Sequence, residues 1–446
     1  MERTSQSGFT VIEALVGILV FGIIATAFYF SINVVIDISE INRRNTVATN
    51  LANEQLELLR HLPYADLGTV NGNPAGNLPA EQSKIVDNIT YNITTYISYI
   101  DDPYDGVFPD DAYSADYKRA RVEVCWSGLS CPRPAVLISD FSATTIETGA
   151  GTGVMQILVR DASTLPVGNA VVTITRNDPA VNIQGYTNSD GLLIEPMLTP
   201  SNNNYHVAAT KGGFSTDYTV PASLAIPDPD NPDVSILEGE MTQVTLYIDQ
   251  TSTLSISTKH AIDNEPATDV PLQITGIRKK LGDDASGNPI YKYDQMHPTN
   301  NEGFVTLTSL EWDVYRIVLT GPAATLYSVA GFDHSSPNPD PVTALTIDPD
   351  TNTDLNIYLD SYTPYNALFT VRSESREIIT DADIHLVKNG GGYDENRVTT
   401  NFGQAFFRDL TAGTYTYTIT KAGFVTATDT LEIIGQEQPE ITLSLP

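Results

Sequence analysis

Glu13 is the one charged side chain in a run of 28 residues from Phe9 to Ile36. An ionised carboxylate in an apolar medium is expensive and needs a cationic partner. The other residues able to do chemistry are scattered. Six histidines, His61, His206, His260, His297, His334 and His385, fall in no HExxH or similar metal spacing. No GxSxG elbow or Walker sequence occurs. Gly149-Ala150-Gly151-Thr152-Gly153 precedes the strand-like run Val154 to Val159 instead of opening a helix. That order makes it a linker, not a phosphate loop. Two clusters, Asp228/Asp230/Asp233 and Asp348/Asp350/Asp354, space acidic oxygens in a way that suits calcium. Prolines interrupt both and no terminal Glu completes an EF-hand, so solvated interdomain loops are the competing reading. No other cofactor is implied. With no catalytic constellation in view, an enzyme is not expected.

The elements that carry these residues follow from composition. Of 446 residues, 24 are Lys or Arg and 55 are Asp or Glu, a net charge of −31. Residues 61–446 alone hold 20 basic against 49 acidic side chains. Such a surface repels phosphate backbones and anionic headgroups, which disfavours nucleic acid as a partner. Abundant Tyr, Thr, Val and Ile, with 27 Pro and 30 Gly, make a strand-and-turn composition. Two cysteines exclude a cage of several thiolates.

As a helix, Phe9 to Ile36 is about 42 Å long, enough to cross a bilayer core. The polar-to-apolar break, with its glycine, lies before the apolar run and not after it. The order Gly8-Phe9-Thr10-Val11-Ile12-Glu13-Ala14-Leu15-Val16 resembles the class III leader of bacterial type IV pilins and type II secretion pseudopilins. The resemblance implies a leader of residues 1–8 and a cut by prepilin peptidase between Gly8 and Phe9. Phe9 becomes the N-methylated first residue. Glu13 falls at the fifth mature position, where the family keeps a glutamate. There it pairs with the Phe9 amine of a neighbouring subunit during assembly. Beyond Ile36, apolar residues at Ile38, Ile41, Ala48, Leu51, Ala52, Leu56 and Leu59 recur mostly at helical spacings. One helix over 9–62, membrane-spanning over 14–36, is expected to stop before Pro63. Its end, with Leu62-Pro63-Tyr64, is similar to that of minor pilins of the pilus-modification type.

Residues 63–148 read as a small β-rich head, giving an α+β N-terminal part. Cys125 and Cys131 can close a short hairpin loop in an oxidising compartment; two unpaired thiols are the alternative. Three units of about a hundred residues follow, at 154–250, 252–360 and 365–446. Each has two strands, a Thr-Asn turn with Gly, and a strand opening on Tyr: Thr187-Asn188, Thr299-Asn300 and Thr400-Asn401, then Tyr205, Tyr315 and Tyr415. Units one and three add Lys211-Gly212-Gly213-Phe214 and Lys421-Ala422-Gly423-Phe424; unit two lacks that turn. The pattern resembles carboxypeptidase regulatory-like (transthyretin-like) β-sandwiches, which are non-catalytic. The resulting expectation is an all-β region of three tandem sandwiches behind an inner-membrane helix. The chain would be a minor pilin-like subunit of an extracellular pilus, with other pilin subunits as partners. Its sandwiches would present a surface to an unknown carbohydrate or protein ligand. The alternatives are a type II secretion pseudopilin and a membrane-anchored surface protein that never polymerises.

Overall fold

The computed structural model describes residues 11–101, 104, 115–126, 134–142, 151–335 and 344–446. A single helix, Val11–Arg60, opens the chain. No proline interrupts it, and at 50 residues it is about 75 Å long. In its lower part Leu19, Phe21, Ile23, Phe28 and Phe30 are all exposed. The described helix contains an 18-residue window of mean hydropathy 2.2, long and apolar enough to cross a membrane. Thr26 returns its hydroxyl to the Gly22 carbonyl, so its polar atom is satisfied within the helix.

The upper part behaves differently. Ala48, Leu51, Ala52, Leu56 and Leu59 are buried, at spacings of one, three and four that form one stripe. They pack on a four-stranded antiparallel meander of Glu81–Val86, Ile89–Ile100, Tyr117–Trp126 and Ala135–Ser142. Alternation places Tyr91, Ile93 and Ile97 of the second strand, and Ala120, Val122 and Val124 of the third, against the helix. Buried Gln55 donates to the Thr95 hydroxyl at 3.2 Å, so the helix face carries no unsatisfied amide there. The first hairpin turns on Asp87 and Asn88, both at positive φ (50° and 62°), which matches the twist of the paired strands.

The remaining strands form three sandwiches of one design. In each, the first strand lies parallel to the last: Gly153–Arg160 beside Met241–Tyr247, Ser252–His260 beside Asn352–Ser361, and Asn366–Ser373 beside Glu440–Leu443. Each first strand also pairs antiparallel with the strand after the Thr-containing turn: Leu192–Leu198, Phe304–Leu310 and Gln404–Phe407. The opposing sheets centre on Val171–Arg176, Pro271–Gly276 and Asp383–Lys388. Inward residues of both sheets make three separate cores.

The repeated residues explain why one topology recurs. Thr187 is buried and donates to the Val167 carbonyl at 2.7 Å while accepting from Ala170 N at 2.9 Å. Asn188 Oδ1 accepts from the amides of Asp190 and Leu192 and so closes the turn. Thr299 and Asn300 repeat this in the second unit, on Val270 N and on the amides of Glu302 and Phe304. In the third unit the register corrects the sequence reading by one residue. Thr399, not Thr400, is the buried threonine, accepting from Ala382 N and donating to the Ile379 carbonyl. Thr400 stands where the other units have asparagine, and its hydroxyl accepts from Phe402 N at 3.3 Å. Both residues are threonine, so spelling alone did not tell them apart. Gly191, Gly303 and Gly403 end the turns at φ of 68°, 69° and 67°. A Cβ there would sit 2.4, 2.7 and 2.9 Å from a carbonyl oxygen of the first strand. The tyrosines are equally constant. Tyr205, Tyr315 and Tyr415 are buried and donate to the carbonyls of Thr199, Glu311 and Thr411 at 2.8, 2.7 and 3.0 Å, a corner that pins the strand start. Where units one and three have Lys-x-Gly-Phe, unit two has Thr320-Gly321-Pro322 leading into the short helix Ala323–Leu326.

Candidate functional site

The residues singled out in the sequence do not converge on one centre. Gly8 and Phe9 lie outside the described residues. Glu13 is in the helix, two residues past its first described residue, Val11. Cys125 is on the strand Tyr117–Trp126 and is disulfide-bonded. Cys131, the other cysteine of the chain, is outside the described residues.

The aspartate clusters have separate employments. Asp228 lies in a short strand paired with Gly282–Asp283 of the second sandwich. Asp230 forms an ion pair with Lys280 at 3.3 Å. Asp233 is buried and accepts from the Thr219 hydroxyl at 2.8 Å, with His206 Nδ1 at 3.1 Å. The Asp348 carbonyl accepts from Ser252, Asp350 takes a left-handed φ of 55°, and the Asp354 amide donates to the Ser335 hydroxyl. Among the described residues no group of three or more His, Cys, Asp or Glu is arranged to hold a metal. The Asp233/His206/Thr219 cluster has the residue types of a hydrolytic triad without its geometry. Thr219 is fully buried, and both Asp233 and Thr219 approach the same ring nitrogen. The cluster holds a strand, because Thr219 Oγ1 also accepts from Val207 N.

What the fold does build is a chain of fastened joints above the helix. The head meets the first sandwich through Tyr186. Its hydroxyl donates to Glu123 Oε1 at 2.5 Å, and Arg121 lies 4.1 Å over its ring. Burial, then the Glu123 bond, raises the Tyr186 phenol above its ordinary value. Asn73 reaches from the head loop to donate to Glu195 Oε1 at 2.7 Å and to the Pro196 carbonyl at 2.6 Å. Glu195 is fully buried with Oε2 unpartnered. Burial pushes its carboxyl up to about 8, against the Asn73 bond that favours the charged form. The first and second sandwiches share the Asp228–Pro229 pairing and the Lys292 ammonium, which donates to the Thr216 carbonyl at 2.6 Å and pairs with Asp217 at 3.4 Å. The second and third meet where Arg408 pairs with Asp360 at 3.1 Å and Gln404 accepts from Phe332 N at 2.9 Å. Leu368 of the third unit enters the core of the second. Sequence reasoning missed all three joints, because their partners are 48 to 123 residues apart.

Comparisons with known proteins bear on the helix. Residues 3–29 match the family described as the prokaryotic N-terminal methylation motif. No curated protein matches the chain. Among solved structures, the TIE protein of Bacillus anthracis is 12% identical, covering 82% of this chain and 73% of its own, with a TM-score of 0.19. The shaft pilin SpaA of Lactobacillus rhamnosus GG is 13% identical, covering 44% and 98%, at 0.16. GBS52, the minor pilin of Streptococcus agalactiae, is 12% identical, covering 44% and 97%, at 0.18. TM-scores this low carry no argument about this chain. The chain thus carries a prokaryotic N-terminal methylation motif that runs into a long apolar helix, followed by β domains.

Proposed function

We propose that this chain is a minor type IV pilin-like subunit whose sandwiches project from the filament for adhesion or recognition. The observation that carries the reading is the helix. It bears the methylation motif, runs bare and apolar through its lower half, and continues unbroken into a half packed under the head sheet. Prepilin peptidase removes residues 1–8 and methylates Phe9. The helix holds the subunit in the inner membrane and later packs against other pilin helices, where Gly17 and Gly22 permit close approach. Gly22 has open space around it in the single chain, ready for a neighbour. Glu13 then pairs with the Phe9 amine of the adjoining subunit, which neutralises both charges in the apolar bundle.

Three sandwiches on every subunit would crowd a shaft, so sparse or tip placement follows. The fastened joints suit this role, since a load on the outermost sandwich passes through hydrogen bonds and ion pairs at each junction.

The test is mass spectrometry of sheared surface fibres, reading this protein's N-terminus and its ratio to other subunits. A methylated Phe9 at low stoichiometry is expected. An intact Met1, or absence from the fibres with the protein left in the membrane, overturns the reading in favour of an anchored surface protein. Phe9 found only in the envelope fraction overturns it in favour of a pseudopilin.

A further inference from the structure

The junction of the second and third sandwiches holds an open cleft of about 560 Å³, within the size range of small-ligand sites. One wall is the sheet of the second unit with the hairpin tip after His260; the other is the turn and edge strand of the third. Tyr358 and Phe402, one from each unit, lie with ring centroids 6.4 Å apart and 22° between their planes. Both rings line the cleft, with their planes close to parallel. Gly331, across the sheet from Tyr358, lines the cleft as well; a Cβ there would press on Gln404 Oε1 at 3.3 Å.

The cleft's polar groups are arranged for a ligand rich in hydroxyls. Gln404 is 4% exposed and commits its Oε1 to Phe332 N. Among the described residues its amide nitrogen has no hydrogen-bond partner, and it is open to solvent. Asn264 stands exposed at the rim, and among the described residues its side-chain amide has no partner, so it offers both a donor and an acceptor. The Thr400 hydroxyl accepts from Phe402 N and keeps its proton to donate. The charged groups are already compensated: Asp360 by Arg408, and Arg397 by Glu395.

We propose that this cleft binds a neutral oligosaccharide. A pyranose has an apolar C–H face and a hydroxyl edge, and the cleft offers aromatic rings next to solvent-accessible amide and hydroxyl groups. An acidic glycan finds no uncompensated cation here and meets a chain of net charge −31. A peptide docking by strand addition needs free backbone groups. The strand Asn352–Ser361 that carries Tyr358 is hydrogen-bonded on both sides, so the second unit's wall offers a peptide none. The inference rests on the adhesion reading above and names the ligand class for it.

The experiment uses the full chain in nanodiscs of phospholipid without glycolipid or sugar-based detergent. It is applied to an array of neutral gluco-, manno-, galacto- and N-acetylglucosamine-based oligosaccharides beside sialylated and uronic-acid ones. Binding is then titrated by calorimetry with the best neutral oligosaccharide of the array. Neutral glycans are expected to bind. Phe402→Leu, which keeps an apolar side chain but removes the ring, is expected to weaken binding about tenfold. Asn264→Ala, at an exposed rim position that leaves the core untouched, is expected to weaken it about threefold. Wild-type melting temperatures in both variants show that folding is intact. No neutral ligand, preference for acidic glycans, or binding indifferent to both substitutions overturns the proposal. Nanodisc binding does not require assembly, so the two readings fail separately. Fibre incorporation without glycan binding removes the cleft proposal alone. Glycan binding by a protein absent from fibres removes the pilus reading alone.

Discussion

Glu195 gives the joint between head and first sandwich a pH dependence that can be worked out. Its carboxyl is fully buried, receives one bond from Asn73, and is pushed from an ordinary 4.5 up to about 8. Once the joint opens and water reaches it, the carboxyl ionises above 4.5. In the native state it holds its proton until about 8. Between those values the native state binds more protons, so its stability falls as pH rises. Below 4.5 nothing is lost, and above 8 the loss is constant. Each pH step in the window costs about 1.4 kcal/mol, so about 4 kcal/mol separates pH 5 from pH 8. Glu195→Gln keeps an acceptor for Asn73 and removes the titration. The assay is hydrogen exchange read by mass spectrometry on peptides covering 68–78 and 192–198, comparing variant with wild type at equal pH so that intrinsic exchange rates cancel. The variant's protection relative to wild type should rise by roughly a hundred- to a thousandfold between pH 5 and pH 8. A ratio that does not change with pH, or that falls as pH rises, would refute the account of Glu195.

Two further outcomes separate structural from assembly roles. Gly191→Ala meets both a φ of 68° and the Val159 carbonyl at 2.4 Å, and should cost about 3 kcal/mol or more. Gly287→Ala has a φ of 81° in open space and should cost only about 1–2 kcal/mol; equal melting temperatures for the two variants would contradict the close-approach argument. Glu13→Gln should leave the amount of membrane-inserted protein unchanged and sharply reduce its recovery in sheared fibres, both read by immunoblot. Undiminished recovery would remove Glu13 from assembly.

The N-terminus was legible in the sequence because its signals are local. The apolar run from Val11, the lone Glu13 and the helical stripe from Ala48 to Leu59 lie on one helix, where spacing fixes the face. The sandwiches were legible for a related reason. Alternation, turn glycines and the tyrosines at 205, 315 and 415 act within short reach, and each appears three times. The third turn went one residue out of register, because Thr399 and Thr400 differ only in which of them the core buries.

Whatever depends on pairing across the chain was decided by tertiary structure. The acidic clusters look alike in sequence, yet packing sends Asp230 to Lys280 and Asp233 to Thr219 and His206. Asn73 and Glu195 are unremarkable where they stand, and become a buried pair only because the head loop docks on the first sandwich. The cleft at Tyr358 and Phe402 exists only where the third sandwich docks on the second. Local preferences of a chain fix its elements. Burial and partner choice are properties of the assembled surfaces, and no spacing in the sequence records them.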